Sequence, residues 1–230
     1  MVWQSVVNGQ TLKFRLAGIN NQNFIMRDEE TGSWWQQISG EAIQGSMKGS
    51  QLVSVETDEL TFGTWKNGRV LKPDAKISVE KYDPNWEPEV ARMPVRVTTK
   101  LDETLEPRTL IVGVSLDGKS KAYPFTAIEK QTPILDTIGT TPVVVVLDGD
   151  GKSVRAFSRI VDGRKLEFLK KPDTNELVDA ETASVWDFSG RAVSGQLSGK
   201  QLTKIQVIKD YWFDWKTYHP ETQLYSLGAR

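Results

Sequence analysis

Cysteine is absent from the 230 residues and histidine occurs once, at His219. Without cysteine these residues can form no disulfide, no thiolate metal site and no cysteine nucleophile. With a lone histidine, a zinc site or a nucleophile–histidine pair lacks its second member. Long apolar runs are missing too. The longest, Val143-Val144-Val145-Val146-Leu147, falls far short of the roughly 20 residues of a membrane-spanning helix. The start, MVWQSVVNGQ, has neither a basic n-region nor an apolar h-region, so the chain as written is expected to be soluble and without a signal peptide. Charge of one sign is not in excess: 29 Lys+Arg face 30 Asp+Glu, a net charge of −1. That balance provides no strong field for nucleic acid or an anionic membrane, and a nucleic-acid partner is not expected. No low-complexity tract interrupts the pattern, and the length suits one large domain or two modest ones.

What the sequence does contain is an internal repeat. Val7-Asn8-Gly9-Gln10-Thr11-Leu12-Lys13-Phe14 answers Val161-Asp162-Gly163-Arg164-Lys165-Leu166-Glu167-Phe168. Thr31-Gly32-Ser33-Trp34-Trp35 answers Thr182-Ala183-Ser184-Val185-Trp186. Gly40 and Gly45 then meet Gly190 and Gly195, Gln51-Leu52 meets Gln201-Leu202, and Trp65 meets Trp215. Glycines and tryptophans falling in step read as positions a shared core requires. The stretch from about Arg108 to Ile160 has no counterpart in the first copy. The expected division is an incomplete first β-rich unit at 1–72, a connector at 73–107 and a complete second unit at 108–230.

Alternation of Leu12, Phe14 and Leu16 with Thr11, Lys13 and Arg15 predicts a half-buried strand. Leu110 to Ser115, Asp117-Gly118 and Lys119 to Tyr123 predict a hairpin, because Asp-Gly supplies the positive φ of a tight turn. Pro142 to Leu147 suits a strand covered on both faces, followed by a turn at Asp148-Gly149-Asp150-Gly151. A second hairpin is expected from Phe24-Ile25-Met26 to Ser33-Trp34-Trp35 across a solvated Asp28 to Gly32 turn. One short helix should end each copy: Ile208 to Tyr218, stopped by His219-Pro220, and a shorter one from a Thr57 or Asp58 cap through Trp65 to Asn67-Gly68. The fold class is therefore mainly β (α+β), with two homologous β-rich units, one short C-terminal helix each, and the first unit incomplete.

Few residues invite chemistry. The DGDG at 148–151 lacks the alternating oxygen ligands and final glutamate of a calcium loop, because Lys152 takes the third ligand place. His219 at a helix end suits help to the last carbonyls. Trp34 stands next to Trp35 and so points to the opposite face, where the other copy has Val185. Glu41 and Asp136 are the carboxylates to examine for a pocket, and Trp34, Glu41, Tyr123 and Asp136 form the candidate set for one cavity. No metal site and no cofactor is expected; a small-molecule or protein ligand fits the candidate set.

The ordered motifs resemble a bacterial family, domain of unknown function 3179. In the second copy they are Val112-Gly113-Val114, Asp117-Gly118, Ala122-Tyr123-Pro124, Asp136-Thr137-Ile138-Gly139, Pro142-Val143, Ser189-Gly190 and His219-Pro220. In the first they are Val7-Asn8-Gly9, Phe14-Arg15-Leu16, Thr31 to Trp35 and Gly40-Glu41-Ala42-Ile43. The resemblance implies a bacterial or archaeal protein, exported or membrane-anchored in its native form. It also implies a short cysteine or selenocysteine motif upstream of the segment matching Met1-Val2-Trp3, so Met1 is expected not to be the native start. Gln131 stands where single-copy relatives carry histidine, and Leu147-Asp148-Gly149 where they carry cysteine. From these residues we expect a non-catalytic scaffold or binding module. The alternatives are a thiol or selenol redox or metal-handling protein with its reactive motif upstream, and a carbohydrate-binding protein.

Overall fold

The computed structural model describes residues 1–67, 85–98 and 100–227. Gly68 and residues 73–84 and 99 of the expected connector, Asp83-Pro84 among them, lie outside the described residues. In chain order come β1 (Val6–Val7), β2 (Gln10–Thr11), β3 (Phe14–Asn20), β4 (Asn23–Asp28), β5 (Trp34–Gln36) and β6 (Ala42–Gln44). Helices α1 (Phe62–Asn67) and α2 (Trp86–Arg92) follow, then β7 (Leu110–Leu116), β8 (Lys119–Pro124) and α3 (Phe125–Lys130). Next are β9 (Ile134–Ile138), β10 (Thr141–Leu147), β11 (Val154–Ser158), β12 (Ile160–Val161) and β13 (Arg164–Lys165). The chain continues with β14 (Phe168–Lys170), β15 (Leu177–Asp179), β16 (Val185–Trp186), β17 (Ala192–Ser194) and β18 (Lys204–Ile205). It ends with β19 (Ile208–Tyr211), α4 (Trp212–Tyr218) and β20 (Gln223–Leu224). The protein is mainly β with short helices.

The chain forms two compact units. One comprises Met1–Thr57, Ala91–Thr109 and Tyr211–Pro220; the other comprises Asp58–Val90, Leu110–Asp210 and Glu221–Arg230. The first unit thus contains α4 and the second contains α1.

The first unit is built on an antiparallel meander in the order β3-β4-β5-β6. Its core gathers Val7, Leu12, Trp35, Ala42 and Leu52, with Trp3, Phe14, Met26 and Met47 packed around them. Phe14 meets Trp35 edge-on, with centroids 5.7 Å apart and planes at 89°, a favoured aromatic geometry. The Gln36 amide donates to the Tyr218 hydroxyl at 2.9 Å, and the Asn23 amide donates to Asp214, tying α4 to the meander.

The second unit contains three four-stranded sheets, β18-β11-β10-β9, β14-β15-β16-β17 and β19-β7-β8-β20. Strand β10 is the hinge of its packing. Val143 and Val145 enter one core with Tyr123, Ile128 and Val154, while Val144 and Val146 enter another with Phe157, Trp186 and Leu202. A strand buried on both faces needs the unbroken β-branched run that this segment has. The β7–β8 hairpin pairs Leu116 with Lys119 across Asp117 (φ 50°) and Gly118 (φ 72°). These two left-handed residues make the tight turn that matches strand twist.

Four expectations need correction. The strand expected over Thr11 to Leu16 is interrupted: Leu12 is buried, but Leu16 is 65% exposed. Strand β3 lies at the sheet edge, with a register shift between Leu16 and Gly18. The last helix begins at Trp212 rather than Ile208, because Ile208–Tyr211 is drawn into a strand instead. The first helix begins at Phe62 rather than after Thr57 or Asp58. There the Thr61 hydroxyl accepts the Thr64 N–H at 3.2 Å, satisfying a donor that a helix start leaves open. Finally, Asp28 is not solvated but 1% exposed, for the reason given next.

Candidate functional site

Each meander is held by a carboxylate inside its turn. In the first, Asp28 accepts the Trp35 indole N–H at 2.8 Å and the Thr31 hydroxyl at 2.9 Å, as well as the Thr31 N–H. In the second, Asp179 accepts the Trp186 indole N–H at 2.8 Å and the Thr182 N–H at 2.6 Å. Ser33 accepts the Met47 N–H at 3.1 Å, and Ser184 accepts the Leu197 N–H at 2.9 Å. Gly45 at φ 96° and Gly195 at φ 90° lie so close to these serines that a Cβ would come within 2.7 Å and 2.5 Å of their Cα atoms. A fully buried indole must place its N–H on an acceptor, and a buried carboxylate must be matched by donors. Burial raises the Asp28 pKa, but the bonds from Trp35 and Thr31 outweigh it and hold the carboxyl below its ordinary value. These residues maintain the fold; both oxygens of Asp28 are occupied.

The two meanders part company on the opposite face. Strand pairing sets Arg15 beside Arg27, Arg27 beside Trp34 and Trp34 beside Gln44, one row across four strands. All four are exposed. The equivalent row in the second meander is Leu169, Val178, Val185 and Ser194. In the first, Trp34, Arg27, Arg15, Leu16, Ala17, Asp28 and Glu29 line an open recess of about 500 Å³. Arg15 is paired with Glu29, whereas Arg27 has no ion-pair partner among the described residues. A Cβ on Gly32 would stand 3.0 Å from Nη2 of Arg27, so the guanidinium occupies space that glycine leaves open. The second meander has Ala183 there, also at positive φ, and Val178 in place of the arginine.

Of the four residues singled out from the sequence, Tyr123 and Asp136 meet in the second unit, while Trp34 and Glu41 belong to the first. The Tyr123 hydroxyl donates to Oδ2 of Asp136 at 2.9 Å, and Lys121 Nζ reaches the same oxygen at 2.6 Å. Oδ1 accepts the Thr137 N–H at 2.7 Å. Burial, reinforced by the Asp136 carboxylate, pushes the Tyr123 phenol far above its ordinary pKa, so it stays protonated and serves as a donor. The ring packs on Tyr225 at 5.3 Å, whose hydroxyl donates to Gln131 Oε1 at 3.2 Å. This network is closed on itself. Glu41 is exposed and bridges to Gln51 through the backbone, as Arg191 bridges to Gln201. It does not line the Trp34 recess.

Other polar groups are also engaged in holding structure. Oδ2 of Asp150 accepts the hydroxyls of Thr61 at 2.7 Å, Thr64 at 2.7 Å and Ser153 at 2.6 Å. Burial opposes ionisation there, but these donors prevail and lower its pKa. His219 caps the last helix through its backbone, whose N–H donates to Trp215 O at 2.8 Å, while its ring, expected to help the last carbonyls, stacks on Trp215 at 3.8 Å, and burial lowers its pKa. Lys216 Nζ donates to Pro220 O, beyond the helix, at 2.7 Å. A recess of about 550 Å³ is lined by Asp102, Phe213 and Lys216. The Asp102 carboxylate there already accepts from Thr104 N–H at 2.8 Å and Trp212 Nε1 at 3.2 Å.

Arg15 and Arg27 were not legible as site residues before the pairing register was known. The signal was nevertheless present, since both align with apolar residues, Leu169 and Val178, at the places flanking the Trp34/Val185 difference. No described helix is long and apolar enough to cross a membrane. A family model described as a protein of unknown function, DUF3179, matches residues 1–222. Comparisons with curated proteins and with solved structures find no match.

Proposed function

Since the chain belongs to the DUF3179 family of unknown function, its role has to be argued from its own geometry, and we propose that it is a non-catalytic binding module. The ligand face is the row of Arg15, Arg27 and Trp34. The carrying observation is that this exposed row differs from Leu169, Val178 and Val185 while the buried clasp behind it is the same. An unpaired guanidinium matches a carboxylate or phosphate with two parallel hydrogen bonds. An indole 39% exposed beside it offers a flat apolar surface. The ligand class is an anion carried next to a planar or apolar group.

The same reading takes residues 1–72 as an incomplete first copy, 73–107 as a connector and 108–230 as a complete second copy. The matched Asp–Trp clasps support it. An exported or anchored native protein follows from the family resemblance. Nothing in the geometry favours a thiol or selenol redox role or carbohydrate binding.

Benzoate and phenyl phosphate are suitable probes, followed by NMR at the Trp34 indole and the Arg27 side chain. We expect both signals to shift with millimolar probe, and the shifts to vanish in Arg27→Val with the remaining spectrum kept. Absence of shifts at tens of millimolar probe, or shifts unchanged in Arg27→Val, would remove the proposed face.

A further inference from the structure

The turn between β4 and β5 carries two glutamates whose bonds separate their roles. Lys13 N–H donates to Oε2 of Glu30 at 2.9 Å, and in the second meander Glu167 N–H donates to Oε2 of Glu181 at 3.0 Å. The backbone bond beside it is shared as well: Glu29 N–H donates to Lys13 O and Ala180 N–H to Glu167 O, both at 2.9 Å. Glu30 and Glu181 therefore do the same structural work. Glu29 does not, because Ala180 stands in its place; its carboxylate accepts from Nε of Arg15.

Glu29 thus departs from the second meander together with Arg15, Arg27 and Trp34, whose counterparts are Leu169, Val178 and Val185. All four line the same recess. Stability does not account for the pair, since an ion pair with side chains 78% and 34% exposed contributes little. Its effect on the charge of the recess is larger. Arg15 and Arg27 stand opposite each other on β3 and β4, which places two guanidinium forks side by side. Glu29 occupies one fork and leaves the other open. Asp28, held by Trp35 and Thr31, adds a further negative charge at the recess.

We propose that Glu29 sets the charge of the ligand accepted at this face: by holding Arg15 it leaves one guanidinium free, which selects a carboxylate on a planar or apolar group over a phosphate monoester. The carboxylate brings one charge and fills one fork. The phosphate monoester carries about two charges at neutral pH, and its second charge meets Glu29 instead of a second fork. This inference rests on Arg15, Arg27 and Trp34 being the ligand face.

The test compares benzoate with phenyl phosphate by NMR titration at the Trp34 indole and the Arg27 side chain, at about pH 8 so that the phosphate is doubly charged. Wild type should bind benzoate at least as tightly as phenyl phosphate. Glu29→Gln removes the charge that holds Arg15, and should tighten phenyl phosphate about tenfold but benzoate by less than about threefold. Adding Arg15→Leu to it, the residue of the second meander, should cancel that gain. Glu30→Gln removes the same charge one residue away without releasing Arg15, and should leave the preference as in wild type. The proposal is overturned by a wild type that prefers phenyl phosphate, or by equal tightening of both probes in Glu29→Gln. It is also overturned by a gain that survives Arg15→Leu or appears equally in Glu30→Gln. In each of these cases binding that still depends on Arg27 leaves the face standing. Shifts that are absent in wild type, or unchanged in Arg27→Val, remove the face and this proposal with it.

Discussion

The meander β3–β6 and the meander β14–β17 carry the same internal bonds and different outer faces. Trp35 and Trp186 are both fully buried, both meet a phenylalanine edge-on, and both donate to an aspartate seven residues earlier at 2.8 Å. Outside, one row reads Arg15, Arg27, Trp34 and the other Leu169, Val178, Val185. Positions that agree answer to packing and to buried hydrogen bonds. Positions that differ are released from those constraints, and there an exposed indole beside a cation with no ion-pair partner among the described residues needs another explanation. The helices differ in the same instructive way. Phe62 of α1 is 52% exposed, whereas Trp212, its counterpart in α4, is 1% exposed. Trp65 is half-buried and Trp215 buried, so this tryptophan pair does not share one kind of core.

The largest effect expected from breaking the comparison is at the indoles. Trp35→Ala and Trp186→Ala should each cost about 3–5 kcal/mol, since each leaves a cavity and strands a buried carboxylate. Denaturant unfolding of the two variants checks this, and a cost below about 1 kcal/mol for either would break the equivalence.

Next in size are the carboxylates. Asp28→Asn and Asp179→Asn should each cost about 1–3 kcal/mol, because an amide cannot accept on both sides. Asp28 also sets a pH dependence. Its folded pKa is lowered, so its contribution is complete above the unfolded value near 3.9 and is lost as pH falls through the folded value. Comparing wild type with Asp28→Asn from pH 6 to pH 2 should show the gap closing only below about pH 4. A gap that persists unchanged to pH 2 would mean that the charge on Asp28 contributes nothing.

Much of this architecture was readable in advance, and the reasons are local. Asp117-Gly118 could only be a tight turn, and four consecutive valines could only be a strand buried on both faces. Matching motifs in the sequence paired Trp35 with Trp186, and each indole is fully buried. Asp28 was misread because an acidic residue in a turn next to Glu29 and Glu30 is ordinarily solvated; only the three-dimensional position of the indole N–H explains its burial. Helix α3 was missed because Phe125 to Lys130 is a single short stretch with no side-chain cap. The four candidate residues fall in two places, Tyr123 with Asp136 in one unit and Trp34 and Glu41 in the other. Trp34 was recognisable by its departure from Val185, but its neighbours Arg15 and Arg27 are set by strand register, which depends on turn lengths and on a register shift between Leu16 and Gly18. Tyr123 and Asp136 are joined by a hydrogen bond, and Lys121 pairs with the same carboxylate.

The smallest expected effect is also the most direct test. Replacing Arg27 and Trp34 together by valine installs the residues of the second meander on the first. If the row serves binding and the clasp serves folding, the unfolding free energy of Arg27→Val/Trp34→Val should change by no more than about 0.5 kcal/mol. A loss of about 3 kcal/mol or more, comparable to that of Trp35→Ala, would show that the row is part of the packing and contradict the account.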